Sequence, residues 1–326
     1  MTQPVYDILG IGNAIVDVVA RTDDSFLSRH DMHKGAMILI DAPTADTIYA
    51  AMPPGRESSG GSGANTCAVA AGLGASVAYI GKVAADQLGA VFRHDISAAG
   101  VHFPTAPLAD GAPTARCLIL VTPDGQRTMN TFLGACVTLG EPDVDPALVA
   151  AAAVTYLEGY LFDPPEAQAA FRKAAAAAHA AGRRVALSLS DAFCVNRHRA
   201  AFLDLVANHV DILFASETEI TALYECNSFQ EAAEAARTNV ALAALTRSEA
   251  GSLILHGDET VIVPAEPAKL IDSTGAGDAY AAGFLAGLTA GKSLDLCGRM
   301  GSIAAAEIIS HYGARPETDL RKLMPA

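Results

Sequence analysis

The sequence predicts an α/β protein in which helices cover a mostly parallel β-sheet. From residue 144 onward, short apolar segments alternate with helical patterns, which indicates repeated βαβ units. Residues 271–285 run from a glycine-rich stretch directly into a further helical pattern. The length of 326 residues suits one large domain, and no low-complexity linker divides it.

The composition excludes two classes of partner. A net charge of −14 argues against nucleic-acid binding through a basic face. No run of about 18 bulky apolar residues occurs, so we expect no membrane span.

The six cysteines are scattered without a Cys-x-x-Cys pair, and the N-terminus has no basic start. We therefore expect reduced thiols, no signal peptide and a cytoplasmic protein, either a monomer or a homodimer.

Two polar residues interrupt the first apolar stretch, which we predict to open with a buried strand. These residues are Asn13 and Asp17. Buried polar groups need partners, so the pair indicates either a ligand that carries hydroxyl groups or a structural hydrogen-bond network. Gly10 and Gly12 suggest a dinucleotide-binding turn. Because Ile15 stands where the third glycine would fall and no helical pattern follows, we reject that interpretation.

The next segments predict a loop, a helix and a strand. Residues 52–63 have the composition of a loop. A helix of small residues is predicted over 65–73, and Gly60 and Gly61 leave bare backbone just before it. A strand is predicted over 77–80.

Residues 102–136 predict a β-hairpin. Polar and apolar residues alternate there, and Asp124-Gly125 lies between two extended runs, which is a hairpin signal. Arg127 follows the turn. An ordinary surface charge is one interpretation of this arginine.

The second half of the chain predicts alternating strands and helices. We place strands at residues 154–157, 185–189, 212–215, 241–245 and 252–255, and helices at residues 171–181, 200–207 and 229–236. This alternation predicts a parallel sheet covered by helices. A last helix at 300–309 is expected to end before Gly313 and Pro316.

The glycine-rich stretch before a helix carries the strongest chemical signal. Residues 260–263 predict a strand, and apolar residues that recur every four positions after the stretch predict a helix. Gly275, Ala276 and Gly277 therefore lie where a loop becomes a helix, and the unpaired N–H groups there can cradle phosphate. Asp278 follows at once. A carboxylate beside an anion site suits the removal of a proton from an attacking hydroxyl, whereas a plain helix cap is the alternative.

The stretch that ends at Asp278 resembles the D-T-x-G-A-G-D signature of the PfkB, or ribokinase-like, kinase family, with Ser273 where the usual form has threonine. The family's N-terminal signature is G-G-x-x-x-N followed by G-x(4)-D-x2-G. Gly61 and Asn65 match its first part, and residues 81–89 match its second. The resemblance covers nearly the whole chain.

The resemblance implies a fold and a reaction. The fold would be a single ribokinase-like three-layer α/β/α domain over residues 1–326, with a mostly parallel sheet and a small β-sheet lid formed by segments at about 20–40 and 102–134. The reaction would transfer the γ-phosphoryl group of MgATP to an alcohol. Asp278 would be the base, the preceding glycine-rich loop the anion hole, and Arg127 a charge clamp. The resemblance leaves a need for a monovalent cation open.

The resemblance also implies substrate contacts. Asn13, Asp17, Gly61 and Asn65 would hold hydroxyl groups of the acceptor. Met129, on the lid, would lie beside it.

A second set of residues falls where the family binds nucleotide phosphates. These residues are Thr246, Ser216, Glu219 and Thr274. Glu219 would hold Mg²⁺, in part through water, although Ser216 replaces the usual asparagine and Ser248 replaces a usual glycine. The alternative role of Glu219 is that of an acidic partner at a helix start.

Several segments look most like those of adenosine kinases, among them Arg127-Thr128-Met129. We therefore expect phosphorylation of a nucleoside, adenosine, at its 5′-hydroxyl. A ribokinase- or fructokinase-type sugar kinase is the nearer alternative, and a non-catalytic ligand-binding protein is the more distant one. The residues expected to contact a base, for each of which plain packing is the alternative, are Ala14, Ile15, Met129, Leu133, Tyr160, Leu161 and Phe162.

Overall fold

The computed structural model describes residues 3–325. Its strands are β1 (Tyr6–Ile11), β2 (Ile15–Arg21), β3 (Met37–Leu39), β4 (Arg56–Gly60), β5 (Val77–Ile80), β6 (Val101–His102), β7 (Ala115–Val121), β8 (Arg127–Phe132), β9 (Ala152–Glu158), β10 (Arg184–Ser188), β11 (Ile212–Ser216), β12 (Leu242–Thr246), β13 (Ser252–His256) and β14 (Glu259–Val263). Its helices are α1 (Asp24–Arg29), α2 (Ala42–Ala51), α3 (Ser62–Gly72), α4 (Gln87–Ala98), α5 (Pro146–Ala150), α6 (Pro165–Ala180), α7 (Ala192–His209), α8 (Glu217–Tyr224), α9 (Phe229–Asn239), α10 (Ala276–Thr289) and α11 (Leu294–Ile308).

A nine-stranded sheet forms the middle layer, in the order β14-β13-β12-β11-β10-β9-β1-β5-β6. From β12 to β6 every pair of neighbours is parallel, so the predicted α/β class is confirmed. β13 and β14 are antiparallel to their neighbours. The prediction that residues 252–255 continue the parallel alternation was therefore wrong. The connection from β12 is too short for a parallel crossover, which needs a dozen or more residues.

Two apolar cores lie on opposite faces of this sheet. Side chains alternate between the faces along each strand, so Ile8 points to one core and Leu9 to the other. The first core contains residues of α3, α4, α10 and α11, and it continues under the smaller sheet. The second core contains residues of α5 to α9. This is the three-layer α/β/α arrangement.

A five-stranded sheet, in the order β3-β8-β7-β2-β4, stands apart from the large one. β7 and β8 form the predicted hairpin, and Gly125 adopts φ 83° in its turn. The predicted lid segments contain β3, β7 and β8 but omit β4 and most of β2. Residues 52–63 are therefore not all loop, because pairing with β2 makes residues of poor β propensity extended. The opening stretch begins with the predicted buried strand, which is β1 of the large sheet, and it continues as β2 of the smaller sheet.

Helix α10 is buried along most of its length because it packs between α3 and α11. The close packing depends on small residues. A Cβ on Gly283 would lie 2.5 Å from the carbonyl oxygen of Met300, and a Cβ on Gly301 would lie 2.7 Å from that of Tyr280. This packing fixes the start of α10 relative to the sheet. Within residues 3–325, no helix combines the length and apolar character that a membrane crossing requires.

Candidate active site

A large cleft runs between the smaller sheet and the carboxyl ends of the central strands, where open α/β sheets bind their ligands. Its volume is about 1440 Å³. The residues expected to hold acceptor hydroxyls, phosphates or Mg²⁺, together with Met129 of the lid, all line this one cleft: Asn13, Asp17, Gly61, Asn65, Arg127, Met129, Ser216, Glu219, Thr246, Thr274, Gly275, Ala276, Gly277 and Asp278. The fold therefore brings together residues that are far apart in sequence.

The start of α10 forms an open backbone cradle. Gly275 is the N-cap residue, with φ 80°, and no side chain caps the helix. A Cβ on Gly275 would lie 2.6 Å from the Cβ of Ala314, whereas a Cβ on Gly277 would meet nothing within 4 Å. The first N–H groups of the helix are thus without a side-chain partner beside open space. This arrangement fits an anion such as a phosphate.

Asp278, the third residue of α10, lies next to this cradle. Its Oδ1 atom accepts a hydrogen bond of 2.6 Å from Ser62 Oγ, and its Oδ2 atom accepts one of 3.4 Å from Asn65 Nδ2. Burial raises the pKa of Asp278 to about 6, against the lowering effect of these two hydrogen bonds. A carboxylate whose pKa lies just below neutral is ionised at pH 7 and still basic enough to accept a proton.

Asp272 joins the smaller sheet to the loop before α10. Its carboxylate forms an ion pair with Arg127 of β8, and both side chains are about nine-tenths buried. The same carboxylate accepts hydrogen bonds from Thr274 N and Thr274 Oγ1, at 3.0 and 2.6 Å, and from Gly313 N at 3.0 Å. Arg127 is therefore not a free surface charge. It is held at the edge of the backbone cradle, where its Nη1 atom lies 3.4 Å from Thr274 Oγ1.

Glu158, at the end of β9, fixes Asn13 and the start of α3 in the cleft. It accepts hydrogen bonds from Asn13 N at 3.1 Å, Asn13 Nδ2 at 2.7 Å and Gly63 N at 2.6 Å. Burial raises the pKa of Glu158 to about 7, although these hydrogen bonds favour the ionised form. Asn13 Oδ1 is buried without a partner among residues 3–325, so it can accept a hydrogen bond from a ligand.

Close backbone contacts shape the same region. Gly61 has φ 92°, and a Cβ there would lie 2.1 Å from the carbonyl oxygen of Asn13. Similarly, a Cβ on Gly60 would lie 2.3 Å from Asp17 Oδ2. Only glycine permits these approaches.

Burial raises the pKa of Asp17 to about 6, and none of the hydrogen bonds formed within residues 3–325 involves its carboxylate. Asp17 is thus available to a ligand.

The far end of the cleft contains the residues expected near the nucleotide. Thr246 is the last residue of β12 and lies opposite Ser216, the last residue of β11. Ser216 caps α8 in a reciprocal pair of hydrogen bonds with Glu219, whose Oε2 atom lies 2.9 Å from Ser216 N. Burial raises the pKa of Glu219. Glu219 therefore has the helix-start role that the sequence left as an alternative, and a role in metal binding stays a prediction.

The residues expected to contact a base divide into two groups. Ala14, Leu161 and Phe162 are fully buried in the two cores, so for them the structure favours plain packing. Ile15, Met129, Leu133 and Tyr160 line the cleft.

Three residues of the cleft were missed by sequence reasoning. Glu158 ends an apolar strand just before Gly159, which is a weak signal for a site. Ser62 directly follows the Gly60-Gly61 pair. Arg315 follows the last helix and gives no local signal, yet its guanidinium group reaches Ser59, 256 positions earlier.

The fold and the cleft together define a class of protein. On the three-layer α/β/α domain, an uncapped helix start that can bind phosphate lies beside a carboxylate that can accept a proton, which fits the transfer of a phosphoryl group to a hydroxyl. The family model described as "pfkB family carbohydrate kinase" matches residues 40–320. The chain belongs to this family and is a phosphotransferase that acts on a hydroxyl group of a nucleoside or sugar.

Individual relatives cover almost the full length. The chain is 29% identical to an adenosine kinase of Saccharomyces cerevisiae over 341 aligned residues, with 96% of each chain covered. The crystal structure of an adenosine kinase from Sinorhizobium meliloti is 53% identical, with a TM-score of 0.88 and 98% of each chain covered. A probable sugar kinase from Rhizobium etli CFN 42 is 49% identical, with a TM-score of 0.90 and 98% of each chain covered.

Glu158→Gln is expected to lower kcat/KM for the acceptor by about 10- to 100-fold, the usual effect of breaking a hydrogen bond to a charged group. The amide NH₂ cannot accept the hydrogen bonds that hold Asn13 and Gly63. Steady-state rates at saturating MgATP would measure the effect, with the exposed Glu166→Gln of α6 as control. A kcat/KM for the acceptor equal to that of the unmodified protein would contradict this positioning role.

Proposed function

We propose that the chain transfers the γ-phosphoryl group of ATP to the 5′-hydroxyl of a nucleoside, and that adenosine is the acceptor. The supporting observation is the composition of the cleft next to the hydroxyl-binding groups. Ile15, Met129 and Leu133 line it on the side of the smaller sheet, beside Asn13 and Asp17. A purine presents flat apolar faces to such a wall, whereas the far side of a free sugar carries more hydroxyl groups.

The relatives support the same acceptor. The Saccharomyces cerevisiae protein and the Sinorhizobium meliloti structure are both named adenosine kinase. The Rhizobium etli protein, named a probable sugar kinase, is similar to this chain to a comparable degree. A sugar kinase is therefore the second candidate, because Asn13, Asp17, Gly61 and Asn65 would hold the hydroxyl groups of a free sugar equally well.

The proposed mechanism assigns three tasks to the chain. Asp17 accepts hydrogen bonds from the acceptor's ribose hydroxyls, together with the unpartnered Asn13 Oδ1 atom. Asp278 accepts the proton of the attacking 5′-hydroxyl, because its raised pKa leaves it ionised yet basic at neutral pH. The N–H groups at the start of α10 donate to the phosphoryl oxygens, whose charge Arg127 helps to balance.

ATP supplies the phosphoryl group when bound, and the cleft fits it because the start of α10 has no side-chain cap. Thr246, Ser216 and Thr274 would hold the nucleotide phosphates. Glu219 would hold Mg²⁺ through water, since the ion keeps several waters when it binds phosphates. Within residues 3–325 no three His, Cys, Asp or Glu side chains form a metal cluster, so the phosphates would supply most of the ligands.

A panel of acceptors tests the substrate. We expect adenosine to have a higher kcat/KM than inosine, ribose or fructose in an assay of ADP release with MgATP. The apolar wall should contribute binding free energy only to an acceptor that carries a base. If ribose or fructose exceeds adenosine, the nucleoside proposal is wrong and the sugar-kinase alternative replaces it.

Asp278→Asn tests the base. Turnover of the best acceptor should fall by about 10² to 10⁴, the usual effect of losing a positioned base. The asparagine preserves the shape of the side chain, so acceptor binding in a thermal-shift assay should persist. Asp295→Asn, an exposed aspartate in the first turn of α11, is the matched control. Turnover within a few-fold of the unmodified protein would exclude Asp278 as the base.

Glu219→Gln tests the metal role. We expect the Mg²⁺ concentration for half-maximal rate to rise, because a neutral amide holds a hydrated cation less well. Glu231→Gln is a matched control: Glu231 follows the capping residue Ser228 in the same Ser-x-x-Glu pattern, at the exposed start of α9. Its Oε2 atom accepts from Asn227 N at 3.3 Å, so the variant reports the effect of altering a glutamate that binds backbone at a helix start. Equal magnesium dependence in the two variants would leave Glu219 as a capping residue only.

A further inference from the structure

The cleft contains a guanidinium group that the proposed mechanism does not use. Arg315 lies in the segment after α11, and its Nη2 atom donates to the carbonyl oxygen and the hydroxyl of Ser59, at 2.8 and 3.0 Å. Its Nε and Nη1 atoms are shielded from solvent and have no hydrogen-bond partner within residues 3–325. Shielding a charged group in this way is costly unless opposite charges lie nearby.

Three carboxylates on separate elements supply that opposite charge. Asp95 of α4 accepts hydrogen bonds from Ser59 N at 2.8 Å and Ser59 Oγ at 2.6 Å. Because Ser59 also accepts from Arg315, it links Asp95 to the guanidinium through hydrogen bonds. Asp17 lies on β2, the strand paired with β4. Asp278 lies on α10. All three interact electrostatically with the Arg315 guanidinium.

The backbone around Arg315 is fixed against the phosphate cradle. Ala314 is in such close contact with Gly275 that a Cβ on the glycine would lie 2.6 Å from that of Ala314. Gly313 N donates to Asp272 Oδ2 at 3.0 Å. The segment therefore connects the start of α10 to the smaller sheet. Its guanidinium lines the same cleft as Asp17, which is proposed to bind the acceptor, and Asp278, the proposed base.

We propose that Arg315 is a positioning residue whose positive charge allows Asp17 and Asp278 to be ionised at the same time. Two carboxylates in one desolvated cleft disfavour each other's charged forms. Asp17 needs its charge to bind acceptor hydroxyls, and Asp278 needs its charge to take the proton. For both groups, burial raises the pKa to about 6 and Arg315 is the strongest charge that opposes the rise.

Other titratable groups face these carboxylates from the surrounding elements. They are Arg127 on β8, Cys117 on β7, Glu158 and Tyr156 on β9, Tyr160 after β9 and Glu219 on α8. Most of them are acidic groups. Arg127 is a cation, but it is already paired with Asp272. Arg315 thus carries the charge that balances the remaining carboxylates.

The test is the pH dependence of kcat/KM for the best acceptor of the panel. Arg315→Met should move the acid limb of the profile to higher pH, because losing the cation raises the pKa values of Asp17 and Asp278. Below the limb, the activity lost should grow about tenfold for each unit of that shift. Arg315→Lys should keep the limb near its original position. Arg321→Met, which removes an exposed arginine paired with Asp319, should leave the profile unchanged.

Further variants separate charge from structure. Ser59→Ala removes one acceptor of Arg315 but keeps the guanidinium, so the limb should stay in place. If Ser59→Ala and Arg315→Met shift the limb equally, Arg315 acts only as a structural link and the proposal is wrong. An unmoved limb in folded Arg315→Met also overturns it, as does a limb in Arg315→Lys that matches Arg315→Met. If thermal unfolding shows that Arg315→Met is not folded, Arg315→Gln is held to the same outcomes.

This inference rests on Asp278 as the base, and the two can fail separately. Activity of Asp278→Asn close to that of the unmodified protein removes the proposed mechanism. If Asp278→Asn is inactive and the acid limb of Arg315→Met is unmoved, the proposed role of Arg315 is wrong while the role of Asp278 stands.

Discussion

The uncapped start of α10 is the constraint on which the rest of the cleft depends. Helix starts usually recruit a side chain to satisfy their first N–H groups, and here none does so. Gly275 cannot supply a cap, and its lack of a side chain lets Ala314 approach closely. The glycine contacts between α10 and α11 then hold the helix firmly enough for its open end to be a fixed site.

A second constraint follows from placing several carboxylates next to that open end. Asp17, Asp278 and Glu158 all have pKa values raised by burial. The negative charge of each carboxylate is stabilised in a different way. N–H groups donate hydrogen bonds to Glu158, and the side chains of Ser62 and Asn65 donate to Asp278. Asp17 has no such donor and is stabilised by positive charge alone. The group with no hydrogen bond to the protein is the one expected to bind acceptor hydroxyls. This division indicates that the cleft holds Glu158 rigidly for structure and leaves Asp17 open for a ligand.

Local patterns predicted the parts of the site that depend on local chemistry. The glycine-rich cradle and Asp278 are adjacent in sequence, and the Asp124-Gly125 turn is a short-range signal, so both were predictable. The contacts of Glu158 with Asn13 span 145 positions, and those of Arg315 with Ser59 span 256. No periodicity or short motif encodes such pairs. Strand β4 was not predicted for a related reason. Its extended conformation comes from pairing with β2 rather than from the β propensity of its own residues.

The ion pair between Arg127 and Asp272 joins the smaller sheet to the loop before α10. In this structure the arginine's charge is already engaged by a carboxylate that also binds Thr274 and Gly313. A phosphoryl group at the cradle would have to share the guanidinium with Asp272 rather than capture it. An arginine has five N–H donors in a planar fork, so it can serve both at once. Asp272 would then orient the fork, and a nearby phosphoryl group would strengthen the attachment of the smaller sheet to the cradle.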